Sequence, residues 1–138
     1  MDVFAGGATE IARIMIDDVS PKFVHSRNLT FEDLTDKKIT VVGCGAIGGY
    51  LAKALASMGA GRGNRGILTL YDPGSIGAEN IGRHNLGMTS WGQPKAQAVA
   101  DDLRREFPGI AVAPNNTAVS LSQKTLLTDL LIDATGKE

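Results

Sequence analysis

The chain of 138 residues carries 14 lysines and arginines against 15 aspartates and glutamates, with 43% hydrophobic, 21% charged and 5% aromatic residues. That mixture is ordinary for a folded globular protein and excludes a disordered or collagen-like chain. A net charge of -1 removes the broad basic footprint of a nucleic-acid binder, so any anion site must be local.

Residues 8–18 place Ile11, Ile14 and Met15 at helical spacing with Glu10, Arg13 and Asp17 on other faces, which predicts a short amphipathic helix closed by Ser20-Pro21. The charges at Asp2, Glu10, Arg13, Asp17 and Asp18 interrupt any apolar stretch that could serve as a secretory signal, so a cytoplasmic location is expected. Residues 1–37 are read as an N-terminal helix and linker, and 38–138 as one domain. The run Lys38–Val42, β-branched and followed by Gly43, predicts a buried strand that begins a sheet. From Ala46 to Met58 the apolar positions Ile47, Tyr50, Leu51, Ala54, Leu55 and Met58 recur at intervals of three and four, which predicts a helix ended by Gly59. The uncharged stretch 39–52 holds 14 residues, four of them glycine, and falls short of the roughly 20 apolar residues that span a bilayer.

The glycine-rich segment 59–66 leads to a second apolar strand, Ile67–Tyr71. Residues 72–91 show no clean period and are expected to form an irregular loop, longer than compact domains usually keep without a function. Pro94 opens a helix with Ala96, Val99, Leu103 and Phe107 on its buried stripe, up to Pro108-Gly109. A strand at 110–113, a helix near 122–128 and a strand at 129–133 complete the chain. Strands alternating with helices predict an α/β, Rossmann-like fold with a mainly parallel sheet and helices on both faces. The predicted strands amount to half of a doubly wound sheet, so the rest of the domain is expected to follow residue 138.

Gly43-Cys44-Gly45-Ala46-Ile47-Gly48 is a full GxGxxG match between a predicted strand and a predicted helix, the context that motif requires. Its glycines permit a tight turn, approach of a phosphate to the backbone, and close packing of helix on strand. The helix N-terminus adds unpaired N–H groups and a positive dipole end. Asp72, closing the second strand, is placed to accept hydrogen bonds from ribose hydroxyls, or else to start a turn before Pro73-Gly74. Lys95 sits in the first turn of its helix, where a cation costs roughly 0.3–1 kcal/mol that a bound anion would offset. With Arg83 and the glycine-loop amides it could hold a triphosphate tail. His84 is expected to pair with an Asn or a backbone group rather than act as a base. Cys44 is the sole cysteine, which excludes an internal disulfide and a multi-cysteine zinc site; inside the glycine loop it reads as a small packing residue.

The phrases VVGCGAIGGYLAKALASMGAG, LTLYDPG, ENIGRHNLG, GQPKAQAVADDLRREFPG and LIDATG, in that order, resemble the ThiF/MoeB/HesA and ubiquitin-activating E1-like adenylyltransferase family over residues 38–136. The Asn-x-x-Arg-His wording is similar to a bacterial branch tied to ubiquitin-like conjugation or deconjugation modules. The resemblance implies ATP and magnesium, with the C-terminal glycine carboxylate of a small ubiquitin-like or sulfur-carrier protein attacking the α-phosphorus. It places Gly43, Gly45 and Gly48 at the phosphates, Asp72 at the ribose, and Asn80, Arg83 and Lys95 at the triphosphate. Asp133 becomes the residue nearest the metal. It also implies a homodimer in which an N-terminal arginine reaches the partner's active site, with Arg13 and Arg27 as candidates and Arg27 the better placed. Neither nucleic acid nor membrane is expected as a partner. Two positions depart from the family pattern: Gly74 and Gly136 stand where acidic residues are usual. A non-catalytic binding module of the same fold and an NAD(P)-dependent oxidoreductase therefore stay open as alternatives.

Overall fold

The computed structural model describes residues 33–120 and 127–136, with the single positions 17, 18, 20 and 23. Arg27, Arg13 and most of the helix expected at 8–18 lie outside the described residues; positions 17 and 18 are not helical. Strand β1 (Lys38–Val42) occupies the middle of the sheet. Ile39 and Val41 are wholly buried, and Thr40 between them is 4% exposed, as in a parallel strand covered on both faces. Strand β2 (Ile67–Tyr71) runs parallel to it, with Lys38 opposite Ile67 and Val42 opposite Tyr71. Strand β3 (Val112–Asn115) adds beyond β2, and β4 (Leu130–Asp133) pairs with the other side of β1. The order is β3-β2-β1-β4, all parallel, as the alternation of elements predicts.

Helix α1 (Ala46–Ser57) joins β1 to β2, and α2 (Lys95–Glu106) precedes β3. Both pack on the sheet and against each other, and the Lys53–Glu106 ion pair at 2.7 Å ties their exposed edges. Leu68, Leu70, Val99 and Leu103 fill the core between them. The buried face of α1 differs from the one its apolar periodicity suggests. Gly48, Gly49, Ala52, Leu55 and Ala56 are its buried positions, Gly49 against Asn85 and His84 of the 72–91 loop, whereas Ile47 and Tyr50 are 74% and 58% exposed. Small residues let this helix lie close to the strands, and the larger apolar ones are displaced to its outer side.

Two strands are also shifted. β3 starts at Val112 instead of 110 and includes Pro114, which a strand at the edge of the sheet tolerates, since among the described residues no strand beyond it needs the missing N–H. β4 starts at Leu130; Asp129 instead caps β1, its Oδ2 accepting the Lys38 N–H at 2.8 Å. The helix expected near 122–128 falls outside the described residues except at 127 and 128, which are not helical. Among the described residues no helix is long and apolar enough to cross a membrane.

Candidate functional site

From Val42 the chain turns through Gly43, Cys44 and Gly45 directly into α1. Gly43 has φ 90°, and a Cβ there would come within 2.8–2.9 Å of the backbone of Ala134 and Thr135, so only glycine suits the turn. Its N–H donates to the Tyr71 carbonyl at 2.7 Å. Gly48 lies over the same turn, where a Cβ would strike the Gly43 carbonyl oxygen; its absence lets α1 seat on the loop. Gly45 differs from both. It is the N-cap of α1 without a side-chain cap, and nothing stands within 4 Å of the place its Cβ would take. The first-turn N–H groups of α1 thus have no side-chain cap at the positive end of the helix, beside the clear space at Gly45.

Asp72 follows β2 and is 9% exposed. Its Oδ2 accepts the Cys44 N–H at 2.7 Å, and its Oδ1 accepts the Gly74 N–H at 2.7 Å. One carboxylate thus joins the glycine turn to the start of the 72–91 loop, and each oxygen keeps a further lone pair for a hydroxyl. Lys95 is the first residue of α2, with Pro94 as N-cap just outside the helix that it was expected to open. The Lys95 N–H donates to the Gly74 carbonyl at 2.9 Å. Among the described residues its ammonium has no ion-pair partner. Gly74 contributes to that: a Cβ at this position would stand 3.5 Å from Lys95 Nζ and 3.1 Å from Asp72 Oδ1. The glycine leaves the cation uncovered.

Gly43, Gly45, Asp72, Gly74 and Lys95 line one cleft of about 460 Å³. Thr117, Ala118 and Val119 after β3, and Ala134 and Thr135 after β4, complete it. Ala134 and Thr135 belong to the phrase LIDATG, whereas Thr117, Ala118 and Val119 carry no motif, and only their place beyond a C-terminal strand end could have drawn attention to them. The cleft opens where β1 has its connection to β2 on one side and β4 on the other, the point at which open α/β sheets take their ligands.

Other expected residues stand apart from the cleft. Asn80 is 4% exposed, and its Oδ1 accepts the Gly77 N–H at 2.9 Å; this side-chain oxygen closes the 3-10 turn Ala78–Asn80 and does not face the cleft. Arg83 is exposed on the same loop and has no ion pair among the described residues. Asp133 is exposed at the end of β4. Its Oδ1 accepts the Thr135 N–H at 2.9 Å, and hydrogen bonds from Thr135 hold its carboxyl below the usual range. Its neighbours Ala134 and Thr135, and not Asp133, line the cleft.

The 72–91 loop is anchored despite its lack of period. Ile76 and Leu86 are 1% and 5% exposed, and Ser75 bridges to Pro94. His84, 6% exposed, bonds among the described residues to backbone: Nδ1 accepts the Leu86 N–H at 3.1 Å, so Nε2 carries the proton, and it donates to the Cys44 carbonyl at 2.7 Å. Cys44 itself is fully buried. Burial first, and then the Asp72 charge, push its thiol up to about 12. The native protein is accordingly expected to resist alkylation at Cys44 near pH 8, where an ordinary thiol with pKa about 8.5 reacts readily. Mass spectrometry after iodoacetamide treatment checks this: label should enter only on unfolding, and rapid labelling of the native chain would contradict it.

The model of the ThiF family matches residues 15–135. The ATP-dependent ubiquitin transferase-like protein Cap2 of Pseudomonas aeruginosa is 43% identical over 129 residues, 93% of this chain and 23% of that protein. The molybdopterin-synthase adenylyltransferase of Escherichia coli is 33% identical over 108 residues, 75% of this chain and 41% of that one. Among solved structures, the E. coli tRNA N6-threonylcarbamoyladenosine dehydratase TcdA in complex with ATP aligns with TM-score 0.71 and 25% identity, over 88% of this chain and 52% of its own. This chain thus spans less than half of either curated relative. The glycine turn, the parallel sheet and the cleft at its reversal all fall inside the matched span, and the chain belongs to the ThiF family.

Proposed function

We propose that the cleft binds ATP, and that the protein carrying this chain adenylates the C-terminal glycine carboxylate of a small ubiquitin-like or sulfur-carrier protein. The observation that carries this is the convergence, on one cleft, of an uncapped helix N-terminus at Gly45, the acceptor Asp72 and the unpaired cation Lys95. A volume of about 460 Å³ lies in the range of small-molecule sites. Relatives support the same chemistry: Cap2 is named ATP-dependent, the molybdopterin-synthase relative is an adenylyltransferase, and TcdA has been crystallised with ATP.

In this assignment Gly43 and Gly45 lead the phosphates to the α1 amides, Gly48 seats the helix behind them, and Asp72 accepts from the ribose. Lys95 serves the triphosphate tail, with the exposed Arg83 reaching in from the neighbouring loop, while Asn80, whose Oδ1 accepts the Gly77 N–H, shapes that loop from within. The carboxylate oxygen attacks the α-phosphorus, the bond from that phosphorus to the bridging oxygen breaks, and pyrophosphate leaves with its charge held by Lys95. Magnesium fits as a companion of the nucleotide. The described residues hold no cluster of three metal-ligating side chains, but a hard ion with phosphate ligands needs few from the protein, and Asp133 offers an ionised carboxylate at the strand end. When bound, the ion neutralises part of the triphosphate charge. A homodimer, with Arg27 of each subunit reaching toward the other's cleft, belongs to the same proposal. The exposed apolar side chains Ile47 and Tyr50 on α1 support it, and a cytoplasmic location accompanies it.

Titration calorimetry of the protein with ATP and magnesium, and separately with NAD, tests the nucleotide. ATP is expected to bind more tightly, because a dinucleotide pyrophosphate leaves the tail-binding cations unused. Equal affinity, or preference for NAD, would overturn the assignment in favour of a dehydrogenase.

A further inference from the structure

The backbone of Cys44 is held at both ends by buried side chains. Its N–H donates to Asp72 Oδ2 at 2.7 Å, and its carbonyl accepts from His84 Nε2 at 2.7 Å. Among the described residues no peptide bond is cis, so in the planar trans peptide between Cys44 and Gly45 the N–H of Gly45 points opposite to the carbonyl that His84 holds. His84 lies on the protein side of that peptide, 6% exposed. Gly45 lies on the cleft side, with nothing within 4 Å of the place its Cβ would take.

We infer that His84 is a positioning residue for the nucleotide, acting through the Cys44–Gly45 peptide: its Nε2–H fixes the carbonyl inward and so presents the Gly45 N–H to a phosphate. This rests on the proposal that the cleft takes a nucleotide. The imidazole can do this because its other nitrogen is committed. Nδ1 accepts the Leu86 N–H at 3.1 Å, and that bond selects the tautomer in which Nε2 is the donor. The Leu86 side chain is 5% exposed, so the ring is anchored to a packed part of the loop. His84 thereby links the 72–91 loop to the phosphate turn, 40 residues away in sequence, by one hydrogen bond aimed at one peptide.

Two substitutions separate the two bonds. In His84→Gln the amide nitrogen reaches as far as Nε2 and still donates to Cys44, while the bond from Leu86 is weakened. In His84→Asn the amide oxygen stands where Nδ1 was and still accepts from Leu86, but nothing reaches Cys44. ATP affinity of the full chain, measured by calorimetry, is expected to fall about 10-fold in His84→Asn, the scale of a buried carbonyl left without its donor. It is expected to stay near the parent value in His84→Gln. In ¹⁵N-resolved spectra the Gly45 amide should shift on addition of ATP in the parent and His84→Gln, and respond weakly in His84→Asn at equal folded fraction. Equal losses in both variants, no loss in either, or a loss that only tracks unfolding would overturn the positioning role while leaving ATP binding intact. Failure of the parent chain to bind ATP would overturn the nucleotide proposal itself, and this inference with it.

Discussion

Replacing Lys95 by alanine in the full protein is expected to lower ATP-dependent pyrophosphate exchange about 10²- to 10³-fold, the usual scale for removing one preorganised electrostatic contact to a developing charge. The charge in question grows on the departing pyrophosphate, so kcat should fall by more than ATP affinity does. Lys95 opens α2, where the helix dipole repels a cation, and among the described residues no carboxylate pairs with it. The same substitution should therefore leave the fold unharmed or stabilise it, by about 0.3–1 kcal/mol. A gain or no change in urea midpoint together with a large loss of kcat would mark a residue retained for its ligand. A kcat within a few-fold of the parent would refute the role, and a loss of stability would refute the electrostatic account of its place. The exposed Arg83 stands outside the cleft, so Arg83→Ala should cost less.

The second large effect separates two glycines that the motif treats alike. Gly43→Ala combines a left-handed backbone at φ 90° with a Cβ 2.8–2.9 Å from the backbone of Ala134 and Thr135. Strain of that kind costs about 1–3 kcal/mol, and overpacking adds about 1–3 kcal/mol. This variant is expected to lose stability and, with it, nucleotide binding. Gly45→Ala meets no protein atom within 4 Å, and its φ of -75° suits any residue. It should fold with an unchanged denaturation midpoint and yet bind ATP poorly, because the new methyl occupies the path of the phosphate. Thermal unfolding and calorimetry on the pair check both halves. A stable Gly43→Ala would contradict the account of the turn, and undiminished ATP affinity in Gly45→Ala would remove the phosphate from it.

Much of this site was legible before any tertiary information, and for a common reason. β1, α1, β2 and α2 are marked by period, by a β-branched run and by the glycine turn, all of which act over a few residues. The expected boundaries fall within a residue or two of Lys38–Val42, Ala46–Ser57, Ile67–Tyr71 and Lys95–Glu106. Asp72 and Lys95 stand at the ends of such elements. The order of a parallel sheet then delivers strand ends to one side, so two residues 23 positions apart come to line one cleft.

What the sequence by itself determined is thus the set of elements, the glycine turn between a strand and a helix, and membership of the ThiF family, through motifs in a particular order. The tertiary structure decided which face of α1 is buried. Period alone counts Ile47, Tyr50 and Leu51 as equal candidates, whereas close packing against the sheet and the 72–91 loop selects Gly48, Gly49, Ala52 and Ala56 by their small size. It decided that Asn80 spends its side-chain oxygen on a turn, and that Asp133 is outside the cleft that Ala134 and Thr135 line. It also decided that His84 closes on Cys44. Each of these depends on contacts between segments distant in sequence. Short-range spacing specifies a hydrogen-bond donor or an apolar face, but only the docked arrangement of strands, helices and loop gives that group its partner.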